Sequence, residues 1–94
     1  MTYLRMSDAQ LIERMAAGDR QAHQQLEERH RLSLYARVYA VLADPEETDR
    51  VVAEALERAW NAARHFNPGA GSAAAWLGEI AREIAARRQP PAIS

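Results

Sequence analysis

The sequence predicts an all-α fold, a compact bundle of about four helices resting on three observations. Apolar residues recur at intervals of three and four rather than two, the signature of one helical face. β-branched residues are sparse, and no segment reads as a strand. The few glycines and prolines fall between the periodic segments, where they punctuate helices.

Ser7 caps a first helix, with Gln10 three residues on in capping-box position. Leu11, Ile12 and Met15 form its apolar face, and Gly18 stops it. Asp19 caps a long second helix over 20–43. Its apolar stripe is Ala22, Leu26, Leu34, Val38, Val41 and Leu42, with His30 in line as a half-covered boundary residue. Asp44-Pro45-Glu46-Glu47 opens the third helix: Asp44 caps, Pro45 suits the first helical position, and the acids meet the positive end of the dipole. Val51, Val52, Ala55, Leu56, Ala59, Trp60 and Ala63 give it a broad apolar face, with Trp60 read as core and the helix ending near Phe66. Asn67 to Gly71 is a loop, and Ser72 caps the fourth helix. The apolar face of that helix is Trp76, Leu77, Ile80, Ala81 and Ile84, and Arg87 and Arg88 sit at its negative end. Gln89-Pro90-Pro91 terminates it.

A chain of 94 residues supports one core, so residues 1–94 are read as one domain, with the core at about 8–88 and 89–94 as a frayed tail. A hydrophobic share of 48% excludes a chain disordered by composition. The absence of cysteine excludes disulfides and thiolate metal sites, and His23, His30 and His65 lack a ligand spacing. No apolar run reaches the ~20 residues of a membrane span, and no leader opens the chain, so a soluble, cytoplasmic protein is expected. There is no nucleophile–base pair or carboxylate pair, hence no enzyme and no cofactor is expected. Net charge is −1, yet all twelve basic residues are arginine. Arginine suits phosphate and base contacts, but an alanine- and arginine-rich composition also follows from coding bias.

The stretch FNPGAGSAAAWLGEIAREIAARR joins a glycine-broken loop to an arginine-tipped helix. Trp76 in its first turn has two readings of equal weight, a core anchor or an aromatic platform for an unstacked base.

The order of these motifs resembles region 2 of the sigma-70 family, in particular the extracytoplasmic-function (ECF) group. LIERMAAGDRQAHQQL carries Gly18, Asp19, Ala22 and Leu26; DPEETDRVVAEALERAW resembles the helix that follows; Ser72, Trp76-Leu77 and Ile80-Ala81 resemble the promoter-melting segment. The resemblance implies docking on the β′ clamp helices of RNA polymerase through the segment with Asp49, Arg50, Ala53 and Glu54. It implies capture of the −10 non-template strand by Asn67, Gly69, Gly71, Ser72, Trp76, Arg82, Glu83, Arg87 and Arg88. An anti-sigma factor is a further candidate partner; a membrane is not.

Departures from the family pattern fall at functional positions. Arg50 stands where an aspartate is usual, Ala53 for glutamine and Leu56 for an aromatic, while Glu54 is retained. The charge reversal at Arg50 opposes docking, and Asp49 lies about 100° away round the helix. Glu83 replaces a common asparagine: it repels phosphates but can accept from a cytosine amine. His23 and Glu27 stand where phenylalanine and tyrosine are usual. The chain reaches Ser94 without the −35-reading helix-turn-helix. Three functions follow in order: a promoter-binding sigma domain, a sigma-like module for an anti-sigma or other regulator, and a self-associating helical bundle.

Overall fold

A computed structural model of the protein describes residues 2–88. Five α-helices follow one another: α1 (Thr2–Arg5), α2 (Asp8–Ala16), α3 (Arg20–Leu42), α4 (Pro45–Ala62) and α5 (Ala73–Arg88). Two 3-10 turns, Ala63–His65 and Pro68–Ala70, link α4 to α5. There is no strand among the described residues.

The helix starts follow from local chemistry. Ser7 and Gln10 form a reciprocal capping box on α2. Asp19 accepts from the backbone N–H groups of Gln21 and Ala22, and Asp44 from those of Glu46 and Glu47. Ser72 accepts from Ala75 N at 3.1 Å and so caps α5. Gly18, at φ 95°, supplies the left-handed turn between α2 and α3.

Helix α3, about 35 Å long at 1.5 Å per residue, is the spine; α2, α4 and α5 pack on it, and α4 also lies against α5. The core joins Leu11, Ile12 and Met15 of α2 to Leu26 of α3, Val51 and Val52 of α4, and Leu77 and Ala81 of α5. Each fully buried aliphatic side chain contributes about 1.5–3 kcal/mol. Thr48 is also wholly buried, and its hydroxyl finds no hydrogen-bond partner.

Helix α1 carries no sequence signal of its own. Contacts from distant residues hold it: Tyr3 donates to Asp19 Oδ2 at 2.6 Å, and Arg29 donates to the Tyr3 carbonyl at 2.9 Å and to Asp8 at 3.1 Å. His30 lies 2.9 Å from Asp8 Oδ2 and is half-buried, as expected for a boundary residue. Hydrogen bonds from Tyr3 and then Arg14 push the Asp19 carboxyl down to about 2.

Three sequence expectations need correction. Val41 is 44% exposed and Leu42 half-buried, because the last turns of α3 border a cleft beside α5 instead of a facing helix. Trp60 is half-buried rather than core. It sits at the bundle edge, with the Arg20 guanidinium 3.9 Å from its ring and His23 in edge contact at 5.4 Å. Helix α4 ends at Ala62 and tightens into a 3-10 turn before Phe66. The tail 89–94, with its Pro90-Pro91 stop, lies outside the described residues.

Candidate nucleic-acid interface

The turn between α4 and α5 is built by its own side chains. Asn67 Oδ1 accepts from Gly69 N at 2.9 Å, and Asn67 O accepts from Ala70 N at 3.0 Å, closing the 3-10 turn over Pro68. Gly71 follows at φ 157° and ψ −179°, a region open essentially to glycine alone. Nothing lies within 4 Å of where its Cβ would stand, so the backbone demands glycine here, not crowding. Ser72 then starts α5, which places Trp76 one turn in.

Trp76 is half-buried. Its indole rests on Phe66, with centroids 4.9 Å apart and planes at 54°. Beside this pair opens a cleft of about 350 Å3, lined by His65, Phe66, Asn67, Gly71, Ser72, Trp76 and Glu79 among others. An aromatic wall, a hydrogen-bonding turn and one carboxylate therefore converge on one open hollow. Such a hollow can take a flat ring by stacking and read its edge with polar groups.

The remaining residues singled out from the sequence divide into groups. Gly69 sits on the exposed outer tip of the turn. Glu83 and Arg87 are exposed and follow Trp76 at spacings of seven and eleven, on the same side of α5. Arg82 lies further round and pairs with Glu79. Arg88 faces elsewhere: it spans to α4, 3.0 Å from Glu47 and 3.3 Å from Glu54. Sequence reasoning did not single out His65, Phe66 or Glu79. The signal available was Phe66 at the head of the turn, ten residues before Trp76.

On α4, Asp49, Arg50, Ala53 and Glu54 are all exposed. Arg50 pairs with Glu47 at 2.8 Å, and Glu54 is shared by Arg58 at 3.5 Å and Arg88. The outer face of α4 is therefore a lattice of partly neutralised charges.

The helix order defines a class, the small all-helical domains, with a half-covered indole at the α4–α5 turn. Residues 26–88 match the family Sigma-70 region 2, and the chain belongs to that family. It has a sigma-factor-like place in transcription initiation. The Gly18–Ala22 motif precedes the matched span. A comparison with curated proteins finds no match. Among the described residues, no helix is long and apolar enough to cross a membrane.

Proposed function

We propose that this domain captures an unpaired base of the promoter −10 non-template strand between Trp76 and the turn 67–72, while α4 docks on the β′ clamp helices of RNA polymerase. This is the role of region 2 in the ECF-like factors that the sequence resembles, carried out in the cytoplasm without catalysis or cofactor. One observation carries the reading: the Trp76 indole is braced on one side by Phe66 and faces an open cleft on another.

Extruding a base from a duplex costs a few kcal/mol. Stacking on an aromatic platform returns about 1–3 kcal/mol per base, and a ring already fixed by Phe66 loses little entropy in doing so. Asn67 and Ser72 offer polar groups at the rim, and Glu79 and Glu83 can accept from exocyclic amines. Exposed Arg87, on the Trp76 side of α5, is the cation this reading assigns to a phosphate contact. Fluorescence anisotropy with a labelled −10-like single strand tests the reading. Saturable, salt-sensitive binding is expected from the native chain. A native chain that binds the strand no better than a scrambled one refutes it.

A second reading, a module for an anti-sigma factor or another regulator, draws on a different observation. The acids Glu47 and Glu54 on α4 are already engaged by Arg50, Arg58 and Arg88. A pull-down from native extract separates the two: β′ recovery favours polymerase docking, and a small helical regulator without β′ favours the second.

A further inference from the structure

A second cleft, of about 360 Å3, opens on the other flank of α5, between it and the C-terminal half of α3. Val38 of α3 and Ala81 and Ala85 of α5 are buried and form its floor, and Val41 stands exposed at its rim. Three charged groups line it: Arg37, Arg82 and Glu79. Glu79 is taken by Arg82. Among the described residues no carboxylate pairs with Arg37. The cleft therefore carries one uncompensated positive charge above an apolar floor.

The guanidinium of Arg37 reaches across this cleft and rests on α5. A Cβ at Gly78 would meet Arg37 Nη1 at 2.1 Å, so the missing side chain is what seats the cation there. The seat lies on the helix that carries Trp76, and the two clefts are continuous: Ala75 and Glu79 line both. At 100° per residue, Gly78 stands about 160° round the helix from Trp76. Exposed Ala75, Glu79 and Arg82 fill the arc between them. That arc is on the order of 15 Å at the side-chain surface, a distance that a few nucleotides of one extended strand span. The Glu79–Arg82 pair on the ridge is neutral as a unit and does not turn a phosphate chain away.

We infer that Arg37 is a second backbone contact for single-stranded DNA, in a subsite a few nucleotides from the base held at Trp76. The inference rests on the strand-capture reading above. A phosphate pairs with the planar fork of the Arg37 guanidinium, and the sugar attached to it covers Val41 and the apolar floor. Arg37 is here a positioning residue. It fixes the path of the strand round α5 and reads no base, as phosphate contacts do in general.

Anisotropy titrations of a labelled −10-like single strand at several salt concentrations test the inference. Arg37→Gln should lower the slope of log K against log salt by about 0.7, the share of one phosphate on a single strand. Arg37→Lys keeps the charge and should restore most of that slope. Both variants should retain native helical circular dichroism, since Arg37 is exposed. Strands shortened from either end toward the captured base locate the subsite. One of the two shortened strands should bind the native chain with the lower slope, and on that strand Arg37→Gln should have no further effect. An unchanged slope for Arg37→Gln, with binding still dependent on Trp76, overturns the inference and leaves capture at Trp76 standing. An equal loss on long and short strands also overturns it, since Arg37 then acts through the fold or at the captured nucleotide. A native chain that binds none of the strands overturns both readings at once.

Discussion

The ring of Phe66 lies 4.9 Å from the indole of Trp76, tilted by 54°, so the tryptophan, which also packs against the edge of the core, is braced from the connecting turn. One aromatic therefore fixes the orientation of the other while leaving it half-buried beside the cleft. Trp76→Ala should lower affinity for a −10-like single strand by about 1–3 kcal/mol, roughly 5- to 150-fold. Far-ultraviolet circular dichroism should show native helicity. Weakened binding together with a collapsed helical signal would return Trp76 to a core role.

Arg87 and Arg88 are adjacent in sequence but face different neighbours. Arg87→Ala should weaken single-strand binding and reduce the salt slope, log K against log salt, by about 0.7. Arg88→Ala should leave that slope unchanged, because its guanidinium is committed to Glu47 and Glu54 on α4. Equal effects from the two substitutions would contradict this division.

Asp19 links α1, α2 and α3, and its folded-state carboxyl sits at about 2, below the ordinary 3.8. The direction follows from linkage: a depressed carboxylate contributes stability above its unfolded value and loses it as pH falls from about 4 toward 2. Asp19→Asn keeps a capping oxygen but removes the charge. Its melting temperature should lie below that of the native chain at pH 7 and converge on it by pH 2. Two curves offset equally at every pH would show that the Tyr3 and Arg14 bonds do not hold the carboxylate.

Gly78 is a buried mid-helix glycine that packs against the Arg37 side chain. A Cβ there would come 2.1 Å from Arg37 Nη1, the free end of a flexible side chain that can swing into the neighbouring cleft. Alanine gains about 1 kcal/mol of helix propensity over glycine. Gly78→Ala should therefore raise stability by up to about 1 kcal/mol in urea denaturation. A loss of that size instead would mean that the seat of Arg37 is structural.

Thr48 hides a hydroxyl with no partner inside α4. Valine has the same shape without the polar atom. Thr48→Val should stabilise the chain by about 1 kcal/mol, since an unsatisfied buried group costs about 1–3 kcal/mol. A destabilised variant would show that the hydroxyl is satisfied in solution.

The sequence by itself determined where helices α2 to α5 begin and, short of the last turns of α3 and α4, which side of each is buried. Ser7, Asp19, Asp44-Pro45 and Ser72 act on backbone groups two or three residues away, and the apolar stripes follow the helical period, so both are local properties. The turn 67–72 was legible for the same reason: Asn67 bonds its own neighbours, and Gly71 answers a backbone need. The tertiary structure alone decided the rest. Arg88 chooses partners 41 and 34 residues away, α1 is pinned by Arg29 from 26 residues on, and Trp60 is covered by Arg20 and His23 from another helix. The exposure of Trp76 was open to two readings in the sequence because periodicity gives a direction around a helix, not what stands there. Whether an indole meets a neighbour or a cleft depends on how helices and turns far apart in the chain are set against one another.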